Sequence, residues 1–267
     1  MLKYRVITAV VLLLIIFAMM WLLKPPIFAA VISIFFIISA KEWAGLMGLK
    51  SLWQQIVYAG LVIVLLFAAY FSPGMPIFCA ALAVWIWAAI SLFSYQQKGY
   101  LLGFHNPWVK GLCGLLLLTA CWKGATLLQA ASPLWLLWVF GLIWLTDTGA
   151  FFAGRRWGQH ALASQISPKK TWEGFWGGIL LAVAVLGVCS LFLPISVEQR
   201  ALLLLLVMIC ALFAVIGDLF VSLLKRQAGL KDTGSLLPGH GGLLDRVDST
   251  ISAVPIFALG FLLLKLG

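Results

Sequence analysis

Charge is what this sequence has least of. Only 10% of its 267 residues are Asp, Glu, Lys or Arg, where water-soluble domains carry about 25%. With 64% hydrophobic residues and a mean hydropathy of +1.11, the shortfall excludes a soluble globular fold, which could not hide this much apolar surface. Paired cysteines are missing as well. Cys79, Cys113, Cys121, Cys189 and Cys210 all lie in apolar runs without a C-x-x-C spacing, so they read as small packing residues rather than metal ligands or disulfide partners. No low-complexity linker, internal repeat or soluble domain interrupts the chain. Acidic residues number only eight against 18 Lys and Arg, a net charge of +10. That excess does not point to nucleic acid, because the basic residues sit between apolar runs, as membrane-flanking charges do.

What is present is a succession of apolar runs of the length that crosses a bilayer, about 20 residues each. Nine spans are expected, at about 5–23, 27–46, 55–71, 75–94, 109–130, 133–154, 173–194, 201–224 and 249–266. Lys24-Pro25-Pro26, Ser72-Pro73-Gly74 and Ser132-Pro133 punctuate them. The start resembles a signal peptide in its charges, but Val6–Leu23 is too long an apolar run and Lys24-Pro25-Pro26 is a poor cleavage site, so a first transmembrane helix is expected. The fold class is therefore an all-α integral membrane protein with about nine transmembrane helices. It forms one polytopic domain over 1–267, with N-terminal helices in 1–100 and the helices of a catalytic cleft in 109–267.

Placing the N-terminus in the cytoplasm puts 14 of the 18 basic residues on the inner side and leaves Lys24, Lys123, Arg200 and Lys265 outside. The positive-inside rule then predicts a cytoplasmic N-terminus and an external C-terminus. Of the eight acids only Glu198 falls outside, and His105, His160 and His240 are all inner. Polar chemistry thus gathers on one face. A carrier would place polar groups at the midplane on broken helices and show inverted repeats; a scaffold would not need carboxylates below the surface.

The densest polar stretch runs from Gly217 to Ser249. Asp218, Ser222 and Lys225 fall on one helical face. Asp218 lies about 10 Å from Lys225 at 1.5 Å per residue, below the membrane surface, where an ionised group costs about 2.5–3.5 kcal/mol. A metal, a basic partner or a watery cleft must offset that cost. Asp245 and Asp248, three apart at the start of the last span, also share a face. Alone they fit helix-dipole complementation as well as metal binding. With Asp218 on a second helix, the carboxylates suit Mg²⁺, which takes one or two of them plus substrate phosphates and water. Pro238-Gly239-His240-Gly241-Gly242 would let the backbone approach a phosphate, and the helix N-terminus behind it would offer free N–H groups; an ordinary turn is the bland alternative.

A second cluster spans Asp147 to Gly174. Asp147 lies more than two turns inside the membrane, on the face of Arg155. Ser167-Pro168-Lys169-Lys170-Thr171-Trp172-Glu173-Gly174 places paired lysines beside hydroxyls and a helix start, which suits phosphate capture. Arg155 and Arg156 fit a basic flank equally well, and His160 reads as a solvated loop residue. Glu42 fits either an interfacial pair with Lys41 or a wall of the cleft.

Several of these residues together resemble the signature of phosphatidate cytidylyltransferases, the CDP-diacylglycerol synthases. They are Ser222, Lys225-Arg226, Lys231-Asp232, Gly234, Pro238, His240-Gly241-Gly242 and Asp245-Arg246-Val247-Asp248, with Ser167–Gly174, Asp147-Thr148-Gly149-Ala150 and the first five residues in support. The resemblance covers essentially the whole chain and is strongest from about 140 to 255. It implies transfer of CMP from CTP to phosphatidic acid, giving CDP-diacylglycerol and pyrophosphate, in a homodimer that uses Mg²⁺ and a second metal ion. It matches metal ligands to Asp218 and Asp245; the residues themselves add the expectation that Asp248 is a ligand or support and that Asp218, Asp245, Lys225 and Asp248 do the catalytic work. Lys169, Lys170, Ser222, Arg226, Lys231, His240, Gly241, Gly242 and Asp147 are the expected substrate-binding set. The location expected is a bacterial inner membrane, with the lipid entering sideways and CTP from the cytoplasm. The alternative enzyme is a nucleotide-using lipid kinase such as a polyprenol kinase, which would release CDP instead of pyrophosphate.

Overall fold

The computed structural model describes residues 14–236 and 241–266. Within them the chain forms nine helices and one small hairpin. Helix α1 is described over 14–22. It is followed by α2 (Pro25–Leu46), α3 (Leu52–Phe71), α4 (Gly74–Lys98), α5 (Pro107–Ala131) and α6 (Pro133–Trp157). Strands β1 (Ala161–Ala163) and β2 (Ser167–Thr171) precede α7 (Trp172–Ser190), α8 (Val197–Gln227) and α9 (Leu244–Leu263). Helices α2 to α9 are all long and apolar enough to cross a membrane. The start of the first expected span lies outside the described residues.

The punctuation acts as its chemistry demands. Pro25, Pro107 and Pro133 stand at the starts of α2, α5 and α6, where a missing N–H costs no hydrogen bond. Asn106 and Ser132 cap α5 and α6 by accepting from the backbone N–H groups of Trp108 and Leu134. Ser196 and Gln199 form a reciprocal capping box that starts α8 four residues before the expected boundary of 201. At 31 residues, α8 is about 46 Å long at 1.5 Å per residue. It outruns a hydrocarbon core of about 30 Å, so at least one of its charged ends, at Glu198 or at Lys225 and Arg226, reaches beyond an apolar layer of that thickness.

Helix α5 is the central post: 67% of its apolar window is buried, against 22% for α3 at the periphery. Its small residues admit large neighbours. A side chain at Gly114 would collide with the Trp43 ring, whose Nε1 donates to the Lys110 carbonyl at 2.9 Å, while the Tyr58 hydroxyl donates to that of Gly111 at 2.9 Å. Helices α6 and α7 meet backbone to backbone. A Cβ on Gly149 would stand 2.7 Å from the Gly177 carbonyl oxygen and 2.9 Å from Gly178 Cα, the small-residue contact typical of membrane helices. Phe67 and Phe71 of α3 point outward, as lipid-facing side chains do.

The hairpin was not legible in the sequence. Its antiparallel strands pair Ala161 with Thr171 and Ala163 with Ser167, with an irregularity between. Gln96 at the end of α4 holds its tip, donating to Ser164 Oγ at 3.0 Å and accepting from Gln165 at 3.3 Å.

Candidate active site

Three contacts assemble the polar residues of separate helices into one cavity. The α6–α7 packing brings Asp147 beside the strand that carries Lys170. At the crossing of α8 and α9, a Cβ on Gly217 would stand 2.6 Å from the Asp248 carbonyl oxygen and 3.0 Å from Ser252 Cβ. No side chain fits there, so Asp218 and Asp248 are drawn to the same opening. The segment between α8 and α9 then folds back over α2. The resulting cavity has a volume of about 340 Å³ and is lined by Asp147, Asp218, Lys225, Asp232, Asp245, Arg246, Asp248 and Ser249.

Its carboxylates differ in their engagement. Asp245 is saturated. Its Oδ1 accepts from Lys225 Nζ at 2.7 Å. Its Oδ2 accepts from the backbone N–H of Thr233 at 2.8 Å and of Gly242 at 3.0 Å, and lies 3.1 Å from the Thr233 hydroxyl. The side chain is 4% exposed, against 27% for Asp218. Asp218 Oδ2 accepts from Lys170 Nζ, and its Oδ1 from Ser222 Oγ at 3.3 Å. Among the described residues the Asp248 carboxylate accepts only from the N–H of Ser249, at 2.8 Å, and the Asp147 carboxylate has no hydrogen-bond partner.

The expected site residues therefore divide into four groups. Asp147, Asp218, Lys225, Asp245 and Asp248 line the cavity, and Lys170 and Ser222 reach it through Asp218. Lys169, Arg226 and Lys231 are exposed and lie outside its lining, as do Arg155 and Arg156. His240 and Pro238 lie outside the described residues. Gly241 and Gly242 adjoin the cavity through Asp245. Gly242 N–H points to Asp245, and Gly241, at φ +84°, gives its Oδ2 room. The N–H groups of Leu243 and Leu244 at the start of α9 are taken by the Glu42 carboxylate. The anion seated at this helix N-terminus is thus the protein's own. Glu42 neither pairs with Lys41 nor lines the cavity; it is buried behind it. His160 is a solvated loop residue, as expected, and its Nδ1 lies 2.6 Å from Glu173 Oε1.

Asp232, Arg246 and Ser249 line the cavity without having been singled out as site residues, although the first two lie in the recognised signature. Thr233 and Glu42 have no local signal of their role, because their contacts join α2 to a segment some 190–200 positions away.

The donors are oxygen atoms, the kind hard cations take: five aspartates surround one small opening, and among the described residues oxygen atoms on Asp147 and Asp248 have no partner. Among the described residues no three His, Cys, Asp or Glu side chains stand together so as to hold a metal ion by themselves. Mg²⁺ is commonly held by one or two carboxylates together with substrate phosphates and water, and two carboxylates of this lining would meet that demand only with substrate oxygens present.

Comparison with known proteins matches the profile of the Cytidylyltransferase family to residues 3–264. A phosphatidate cytidylyltransferase of Pseudomonas aeruginosa is 38% identical over 264 residues, covering 97% of this chain and 96% of the relative. One of Haemophilus influenzae is 30% identical over 285 aligned positions, covering 97% and 98%. One of Staphylococcus epidermidis is 46% identical over 122 residues, 46% of each chain.

Proposed function

This chain belongs to the cytidylyltransferase family, and from that premise we propose that it transfers CMP from CTP to phosphatidic acid, forming CDP-diacylglycerol and pyrophosphate. The observation that carries the reading is the cavity itself, where carboxylates and lysines of α6, α8, α9 and the hairpin meet inside a bundle of membrane-spanning helices. A site for one lipid phosphate and one nucleotide needs that combination of apolar surroundings and dense charge.

In the reaction, an ionised oxygen of the lipid phosphate attacks the α-phosphorus of CTP, and the bond from that phosphorus to the oxygen bridging the β-phosphate breaks. Both reactants are anionic, and a cavity lined by five aspartates repels them unless cations intervene. Lys170 and Lys225 meet part of that need. At rest each neutralises an aspartate, Asp218 and Asp245 respectively. When a triphosphate arrives, the two ammonium groups turn to its oxygens and hold the departing pyrophosphate, releasing oxygen atoms of Asp218 and Asp245 as donors. Mg²⁺, with a second metal ion in the same cleft, would be held by Asp218, Asp245 and Asp248, and when bound supplies charge neutralisation to the phosphoryl oxygens. Asp147 and Ser222 border the nucleotide. Lys169, Arg226 and Lys231, exposed around the opening, draw in CTP by long-range attraction.

The basic bias of the loops orients the opening toward the cytoplasm, with the N-terminus inside and the C-terminus outside, in a bacterial inner membrane. CTP enters from that side and phosphatidic acid laterally from the bilayer, in each protomer of a homodimer. The test is product analysis with purified protein, labelled CTP, phosphatidic acid and varied Mg²⁺. CDP-diacylglycerol and pyrophosphate in equal amounts are expected. Release of CDP with no cytidylyl lipid would contradict the reading and point to a lipid kinase.

A further inference from the structure

Glu42 is buried, 9% exposed, near the inner end of α2. A carboxylate removed from water must be compensated by donors, and here each donor comes from the segment that builds the cavity. Glu42 Oε1 accepts from the backbone N–H of Leu243 at 2.9 Å. Its Oε2 accepts from the N–H of Leu244 at 2.7 Å and from the Thr233 hydroxyl at 2.9 Å. Helix α9 has no side-chain cap from its own N-cap residue, Leu243. Glu42 therefore caps α9 from another helix, placing negative charge at the positive end of the helix dipole.

The surrounding backbone is shaped for this carboxylate. A Cβ on Gly234 would stand 2.5 Å from Glu42 Oε1, and one on Gly242 would stand 2.6 Å from Oε2. Thr233 forms the link onward: its hydroxyl lies between Glu42 and Asp245, and its N–H donates to Asp245 Oδ2. The hydroxyl has one proton, so it serves one carboxylate at a time while holding both within reach.

We infer that Glu42 is a positioning residue for the reaction: by capping α9 and holding Thr233 it sets where Asp245, and with it Lys225, stands in the cavity. The inference rests on the cavity being the site of nucleotidyl transfer. Glu42 does not line that cavity, so it acts through Thr233 and α9. The N-terminal helices, which contribute no lining residue, thereby become part of the machinery.

The test compares full-length wild type, Glu42→Gln, Thr233→Val and Thr233→Ser. It measures kcat and KM for CTP, melting temperature, and hydrogen exchange at the amides of Leu243 and Leu244 in protein without substrates. Glu42→Gln puts an NH₂ where a backbone donor needs an acceptor. It is expected to lower kcat by about 100-fold and to speed exchange at those two amides by about tenfold, with α5 to α7 unchanged. Thr233→Val keeps the cap and removes the bridge. It should lower kcat about tenfold with KM and melting temperature near wild type, and Thr233→Ser should restore kcat. Should Glu42→Gln fail to fold, the Thr233 pair decides alone. Wild-type kcat in Thr233→Val, or a kcat loss matched by a general loss of stability and not rescued by serine, would overturn the inference. The exchange arm needs no turnover, so a wild-type protein that makes no CDP-diacylglycerol would sink the proposed reaction without deciding the Glu42 cap.

Discussion

The two ends of the cavity are built on opposite plans. Where α9 begins, Asp245 is wrapped by Lys225, two backbone N–H groups and the Thr233 hydroxyl, and Glu42 braces the wrapping from behind. Where α6, α8 and α9 face one another, Asp147 and Asp248 keep free oxygens among the described residues, where Asp218 is held by one lysine and one serine. One end is held in place by its own hydrogen bonds, with an Asp245 oxygen freed only if Lys225 turns away, and the other has carboxylate oxygens already uncommitted. The difference teaches where binding energy can be used. Saturated hydrogen bonds keep Asp245 where it stands, whereas under-satisfied carboxylates in an apolar bundle carry a cost that a cation offsets.

Removing divalent cations should break the open end first. Chelation is expected to abolish turnover, and Mg²⁺ to restore it, as read by labelled-CTP incorporation into lipid. Gly217→Val should follow closely. Its side chain would press on the Asp248 carbonyl and Ser252, forcing α8 and α9 apart at a cost of about 1–3 kcal/mol. Because that displacement separates Asp218 from Asp248, activity should fall by about 100-fold or more, beyond any loss in melting temperature. Lys225→Gln probes the fixed end. It removes the charge facing Asp245 and a partner for the leaving pyrophosphate, and kcat should drop by about 10- to 100-fold with the protein still folded. His160→Gln is the smallest. The His160–Glu173 contact is on an exposed turn, with the histidine side chain 74% accessible, and activity should stay within about twofold of wild type. A large loss there would extend the working region to the hairpin base and blur the two-ended picture.

The transmembrane architecture was legible because hydropathy and helix punctuation are local. Pro25, Pro107 and Pro133 mark starts, and the apolar runs have bilayer length. The open end was legible too. A carboxylate such as Asp218 or Asp147 inside an apolar run is anomalous where it stands, and helical spacing gives its face. The fixed end was not. Glu42 reads as a charge beside Lys41, and only the folded chain shows its oxygens on Leu243 and Leu244, some 200 positions away. The glycines between α8 and α9 illustrate the same limit. Composition announces that a backbone must come close to something, but not that Gly242 packs against Thr233 and Glu42. The hairpin escaped because strands of three and five residues with an irregular register do not develop an alternating pattern.

The account is tested most directly by Asp218→Asn, assayed beside wild type for label transfer from CTP to phosphatidic acid, with membrane insertion and melting temperature checked on the same preparation. The open end of the cavity predicts a folded, inserted protein whose transfer falls by about 1,000-fold or more. Near-normal CDP-diacylglycerol formation by that variant would contradict it.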